Sequence, residues 1–416
     1  MAASKVDIRK VDGRYSLYVN DEPFEVKGAG IDWGNNPNLQ ALVDAGGNSF
    51  RTWRPDHIEE ELQIAAKMGL MVAVGLEMGQ ELHGFDYHDK EAVQAQFNEF
   101  KAVIDAYKEH PNLLCWVVGN EINLLFDGTD ERPLVDPAAY HALTDICDYI
   151  HQVDGNHPVT TAFAGLRKID IEHALEHCSS LDFLSYQVYG ELGVMPKLIK
   201  KNGVEMPFMV TEFGAKGHWE MKPTKWGREI EQPSAVKAEA LAKRMHKGFT
   251  KDKSGLNIGH FIFYWGQKQE RTPTWYGIFN ATGEPDARID EITRFWTGGY
   301  PEHRAPSVRK IKLNKKKARK SVVVEPASKA KAKVSLDEKD ASFEYKWVLM
   351  KESEARVEGG AFEPEPETLE LEILSSSEGK LKFMTPDEPG EYRLFSYVYD
   401  GKGKVGNANF PFLVKG

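Results

Sequence analysis

The sequence predicts an α/β chain: a (β/α)8 TIM barrel followed by a small all-β, immunoglobulin-like sandwich. Three observations carry that expectation. Up to about Tyr300, eight short apolar runs alternate with stretches of 3.6-residue periodicity, the pattern of parallel strands joined by helices. Two of these runs, "LLCWVVGNEINL" (113–124) and "PFMVTEFGAKG" (207–217), end abruptly in a carboxylate. That is odd for packing, but barrel active sites lie at the carboxyl ends of the strands. After Tyr300 the texture changes to period-two runs between turn residues, as in an antiparallel sandwich. The 416 residues accommodate both, because a barrel alone takes about 250.

In order, the barrel strands are "PFEVKGAG", "GNSFRTW", "LMVAVGLE", "LLCWVVGNE", "PVTTAFAG", "DFLSYQVY", "PFMVTEFG" and "GHFIFYW". Among the helices between them, Val93, Phe97, Phe100, Ile104 and Tyr107 share one face, and Tyr140, Leu143, Cys147 and Ile150 share another. Asp56 with Glu59 reads as a capping box, Asp136-Pro137 as a cap with a first-turn proline, and Asp154-Gly155-Asn156 as a helix stop. The domain boundary is placed at residue 303, with the barrel over 1–303 and the sandwich over 304–416. The sandwich strands are "FEYKWVL", "TLELEIL", "GKLKFM", "EYRLFSYVY" and "NANFPFLV", with Asp-Glu-Pro-Gly and Asp-Gly-Lys-Gly as turns. The Lys-rich segment 301–334 is read as a solvated linker with an edge strand, since Lys protects sheet edges; a patch for nucleic acid or an anionic polymer is the competing reading.

Composition removes several function classes. A net charge of −10 argues against an electrostatic partnership with nucleic acid. Cys115, Cys147 and Cys178 have no metal-ligand spacing and sit in apolar runs, as buried free thiols do. His83, Asp86 and His88 are read as a hydrogen-bonding loop rather than a metal site, so neither metal nor other cofactor is expected. No run of eighteen apolar residues is present, so no membrane span is expected, and "MAASKVDIRK" lacks the apolar core of a signal peptide. The loop tryptophans Trp33, Trp53, Trp219, Trp226 and Trp275 are candidates for stacking on sugar faces.

Glu121 and Glu212 end the fourth and seventh strands, on opposite sides of a barrel mouth. Cleaving a glycosidic bond with retention needs two such carboxyls about 5–5.5 Å apart, one to protonate the leaving oxygen and one to attack. The attacking group must stay ionised, so donors should hold its charge. The acid must be protonated when substrate arrives.

"WVVGNEIN" and "MVTEFG" resemble the acid/base and nucleophile strands of the glycoside hydrolase clan A superfamily, and the resemblance covers about Val11 to Tyr300. It implies that Glu121 is the acid/base, Glu212 the nucleophile, and Asn120 a partner of the sugar 2-hydroxyl. "NSFRTWR" resembles the second strand, giving Arg51 a bond to the nucleophile; "LSYQVYG" resembles the sixth, with Tyr189 donating to it. "FIFYWGQ" ends the eighth strand with Trp265, implied to be the platform beneath the sugar. Gln187 stands where the family-two enzymes often have Asn, and the domains that precede the barrel in those enzymes are expected to be missing. "VVGNEINL" with "ERTPTWYGIF" resembles the β-1,3-glucanosyltransferases, and "FMTPDEPGEYRLFSYVYDGKG" resembles PKD and cadherin-like modules. The resemblance therefore implies a retaining glycoside hydrolase or transglycosidase acting on a β-linked oligo- or polysaccharide, with β-1,3-glucan favoured. Export with the leader removed is the matching expectation for location. The alternative is a non-catalytic carbohydrate-binding or adhesive protein, which has no physical need of both glutamates.

Overall fold

The computed structural model describes residues 3–35, 37–126, 132–338, 340–355 and 360–416. Near the amino terminus β1 (Val6–Val11), β2 (Arg14–Val19) and the short β3 (Glu22–Pro23) form an antiparallel sheet. All eight expected strands then form: β4 (Val26–Gly30), β5 (Ser49–Arg51), β6 (Met71–Leu76), β7 (Leu113–Asn120), β8 (Val159–Ala164), β9 (Leu184–Gln187), β10 (Phe208–Phe213) and β11 (Asn257–Ile262). They close into one parallel barrel in which β11 pairs β4 and β10 pairs β9. Burial on both faces explains why these strands read as continuous apolar runs rather than alternating ones. Val6 and Leu17 of the small sheet join Val26, Met71, Leu114 and Ile258, which lie at or near the starts of their strands, in one apolar cluster. That cluster occupies the amino-terminal end of the barrel, and its carboxyl end is where the polar residues gather.

Between the strands run α1 (Leu39–Asp44), α2 (Ile58–Met68), α3 (Lys90–Tyr107), α4 (Pro137–Val153), α5 (Lys168–His177) and α6 (Met195–Asn202). Asp136 caps α4 by accepting from the Ala138 N–H, with Pro137 in the first turn, as expected. The expected Asp56–Glu59 capping box does not form. Helix α2 begins at Ile58 with His57 at the cap, one residue too late for Asp56 to hold that position, and Asp56 faces Arg54 instead, at 3.6 Å.

By packing, the chain divides into two compact units: Met1–Gly214 with Met245–Trp265, and Ala215–Arg244 with Gly266–Gly416. This division differs from the expected one at residue 303. In the second unit α7 (Ser234–Met245, whose last residue falls in the first unit) and α8 (Ala287–Thr297) accompany two sheets. A buried polar network accounts for the grouping. Glu231 accepts from Lys237 at 2.7 Å, Thr272 at 2.6 Å and Thr274 at 2.9 Å, and also from Asn409. Removing any of these partners would strand a buried charge or dipole.

The two sheets comprise β12 (Val308–Leu313), β13 (Val323–Val324), β14 (Lys329–Leu336), β15 (Glu344–Lys351), β16 (Thr368–Leu369), β17 (Ile373–Ser377), β18 (Lys380–Met384), β19 (Gly390–Tyr399) and β20 (Val405–Val414). Their orders are β12-β14-β18-β17 and β13-β20-β19-β15-β16, and they share one core that includes Leu313, Val334 and Phe383 from one sheet and Trp347, Leu394 and Phe410 from the other. The Lys-rich segment is therefore not a linker. Ala330, Ala332 and Val334 enter the core while Lys329, Lys331 and Lys333 alternate outward; β14 lies inside its sheet, and the segment's β12 and β13 each form an edge.

Candidate active site

Four strand ends supply the site: Arg51 from β5, Asn120 from β7, Gln187 from β9 and Glu212 from β10. Glu212 is buried, and four donors converge on its carboxylate. Oε1 accepts from the Trp53 indole at 2.8 Å, the Gln187 amide at 2.9 Å and Arg51 at 3.3 Å. Oε2 accepts from the Tyr189 hydroxyl at 2.7 Å. Bonds of this kind from four directions fix the aim of the carboxylate.

Arg51 is wholly buried. It also donates to the Thr211 carbonyl at 3.2 Å and to Asn120 Oδ1 at 3.1 Å. Burial pulls its guanidinium below the usual arginine value, and the Glu212 charge opposes that shift, followed by Tyr189 and Glu121. Asn120 Oδ1 accepts a second bond, from Gln187 at 2.6 Å. Two donors on the oxygen fix which way the amide is turned and leave Nδ2 as the group that can donate to a ligand.

Glu121 follows directly, and its backbone is unusual. Between Val117 and Asn120 the pairing of β7 with β8 shifts register, with Gly119 at φ +77° and Glu121 at φ +53°. Gly119 has to be glycine, because a Cβ there would meet Ile122 Cγ2 at 3.0 Å in a conformation side chains avoid. A bulge at a strand end re-aims the residue beyond it. Here the Glu121 N–H is held by the Ala162 carbonyl at 2.8 Å, and its own carbonyl accepts from the Leu124 N–H at 2.8 Å.

Arg51, Asn120, Tyr189 and Glu212 thus come together by direct hydrogen bonds, and Glu121 adjoins them. Trp265 does not join them. It is fully buried, and its indole donates to the Asn38 carbonyl at 2.9 Å, so no ring face is offered to a sugar. The tryptophan bonded to Glu212 is Trp53, half-buried, stacked on Tyr264 at 5.8 Å and lying under the Arg51 guanidinium at 5.0 Å. Of the other loop tryptophans, Trp275 is buried and Trp219 is 60% exposed, both in the second unit; the Trp33 indole is taken by Glu60. Gln187 and Trp53 were the bonds to Glu212 that sequence reasoning missed. A signal existed for Trp53, since period two puts it on the same side of the chain as Arg51.

His88 pairs with Asp136 at 3.0 Å, and Asp86 accepts from the His88 N–H, in keeping with a hydrogen-bonded loop. Among the described residues, the group spaced to hold a metal is a different one, His173, Glu176 and His177 on α5, away from the β strands that carry the site.

Arg51→Met is expected to slow turnover about ten- to a hundredfold, the loss of one charge-assisted hydrogen bond worth about 1.5–3 kcal/mol. Arg51→Lys should recover only part, because an ammonium cannot serve Glu212, Thr211 and Asn120 together. Steady-state rates on an aryl glycoside, with folding followed by circular dichroism, check both.

A family model described as "Glycosyl hydrolases family 2, TIM barrel domain" matches residues 20–232. The β-glucuronidase of Mus musculus is 26% identical over 264 residues, covering 58% of this chain and 36% of the relative. That of Paenibacillus borealis is 24% identical over 312 residues, covering 68% and 49%. Among solved structures, Ruminococcus gnavus β-glucuronidase in complex with D-glucuronic acid superposes with a TM-score of 0.52 at 18% identity, over 70% of this chain and 52% of that one. The chain spans about half or less of the length of these relatives. These relatives are β-glucuronidases, so the expected β-1,3-glucan finds no support in them. The likeness of the C-terminal sheets to PKD and cadherin-like modules is not supported either. Gln187, despite standing where asparagine is usual, binds both Asn120 and Glu212, so the departure leaves the site intact. With the barrel closed, the glutamates at its carboxyl end and the family model matching over half of the sequence, this chain belongs to glycosyl hydrolase family 2.

Proposed function

We propose that this chain is the catalytic part of a retaining β-glycosidase acting on β-glucuronides. The observation that carries the reading is the fourfold-donated Glu212 carboxylate beside Glu121. A buried carboxylate aimed by several donors is what a nucleophile at an anomeric carbon requires. In this reading Glu212 attacks the anomeric carbon while Glu121 protonates the departing oxygen. Glu121 then takes a proton from the incoming water as Glu212 is released. Asn120 Nδ2 donates to the 2-hydroxyl, a contact that strengthens as charge develops in the transition state. The names of the relatives support the glucuronide; an alcohol or second sugar in place of water would make the same chemistry a transfer.

A panel of aryl β-glycosides (glucuronide, galactoside, glucoside, mannoside) together with β-1,3-glucan tests the proposal, with the first-formed anomer followed by NMR. The glucuronide should be turned over fastest and should release the β-anomer first. Initial appearance of the α-anomer would rule out double displacement. Preference for a neutral sugar would rule out the substrate while leaving the glutamate pair in place. Methanol added as acceptor should divert part of the product to methyl glycoside if transfer competes with hydrolysis.

A further inference from the structure

The four-stranded sheet of the second unit turns one face to its core and the other to solvent, and the outer face is a field of lysines. On β14, Lys329, Lys331 and Lys333 point outward. The register sets Lys331 directly opposite Lys382 and Lys333 directly opposite Lys380, while on the other side Lys333 faces Lys312. Lys310 continues the row along β12, opposite Ser335. Spacings in such a sheet are about 6.8 Å along a strand between same-face residues and about 4.8 Å between strands. No acidic residue is register-paired with these lysines; the acid on the face is Glu372 at its end, whose carbonyl accepts from the Met384 N–H at 3.0 Å, and among the described residues no ion pair engages any of the lysines.

Like charges directly opposite each other in a sheet are destabilising. A surface kept only for solubility intersperses both signs. Here one sign runs unbroken across three strands, in a chain whose net charge is −10. The remaining outer positions narrow what the field can hold. Ser375 and Ser377 on β17 lie opposite Lys382 and Lys380, offering hydroxyls beside the charges, while Met384, opposite Lys329, and the exposed Leu374 bring apolar groups to the same end of the sheet. No aromatic ring stands on the face, whereas sheets that bind single-stranded nucleic acid stack bases on aromatic side chains. Lysine is a compact point charge on a flexible stem, suited to carboxylates spaced along a polymer rather than to planar, bidentate recognition.

We propose that this face binds an acidic polysaccharide bearing uronate carboxylates. The inference rests on the glucuronide reading of the active site for its choice of polymer, and on the lysine register alone for the binding. Tethering a chain-like substrate in this way raises its effective concentration at the enzyme without any new contact in the catalytic site.

The full chain and the variant K331Q/K333Q/K382Q are titrated with hyaluronan, an unsulfated glucuronate polymer, with neutral dextran, and with single-stranded and duplex DNA. The parent should bind hyaluronan, ignore dextran, and lose affinity steeply as salt rises from about 0.05 to about 0.2 M. The variant should bind at least about tenfold more weakly, melt no lower than the parent because repulsive pairs have been removed, and cleave an aryl β-glucuronide at an unchanged rate. K380Q/K382Q, confined to β18, repeats the test should the triple variant fold poorly. Equal hyaluronan binding by parent and variant overturns the proposal, as does no binding by the parent. DNA bound as tightly as hyaluronan or more tightly assigns the face to nucleic acid and overturns it too. If the lysines govern hyaluronan binding but no aryl glucuronide is cleaved, the glucuronide reading of the active site fails and the lysine face stands.

Discussion

Glu212→Gln is expected to fold as the parent does and to lose about four orders of magnitude or more in kcat on an aryl β-glucuronide, as removal of a nucleophile typically does. The substitution keeps volume and most of the hydrogen bonding. The amide oxygen can occupy the Oε1 side, where Trp53, Gln187 and Arg51 donate, and the new NH2 then meets the Tyr189 hydroxyl, which can rotate to accept. What disappears is the charge and the lone pair that bonds to carbon. A 2-fluoro glycoside with an activated leaving group should label Glu212 in the parent, one sugar per chain, and leave the variant unlabelled. Retention of more than about a hundredth of parental activity by a purified, folded variant would contradict a covalent role.

Glu121→Ala should behave differently on two kinds of substrate. With a poor leaving group the loss should reach about 10²–10⁴-fold, the usual worth of general acid catalysis. An aryl leaving group that needs no proton should depart nearly as before, leaving deglycosylation as the slow step. Azide, which needs no general base, should then accelerate turnover and appear as a glycosyl azide. Because residue 121 sits at positive φ, where alanine is as strained as glutamate, Glu121→Gln serves as the control that keeps side-chain bulk. Matching losses on both substrates in both variants, with no response to azide, would assign Glu121 a structural part.

Much of the barrel was legible because parallel strands buried on both faces leave uninterrupted apolar runs, and all eight runs became strands. The two glutamates were legible because a charge ending such a run has no packing reason to be there. Arg51 and Tyr189 were expected to donate to Glu212; Trp53 and Gln187 donate as well, and Arg51 at 3.3 Å is the longest of the four contacts. Which of several donors wins is decided by side-chain direction across strands, which spacing along one strand does not carry. Trp265 failed for the same reason: a tryptophan at a strand end can turn to the mouth or to the core, and this one turned to Asn38. The Lys-rich segment misled because alanine and lysine are weak strand formers. Its alternation of Ala330, Ala332 and Val334 with lysine becomes meaningful only once a facing sheet covers the small residues. The grouping of 215–244 with the C-terminal sheets rests on the Glu231 network, whose members are scattered over 178 positions of sequence.

The backbone at residue 121 bears on how such a chain would drift if selection for activity were relaxed. Left-handed φ at a non-glycine residue costs on the order of 1 kcal/mol, and glycine or asparagine there would recover some of it. The residue proposed to move protons is thus the one whose loss the fold would welcome. Lineages released from catalysis should accept Asn or Gly at residue 121, since either relaxes the main chain there. A chain found with Asn or Gly at this position and an intact glutamate at 212 would be the fossil of a former enzyme, more stable than its working ancestor.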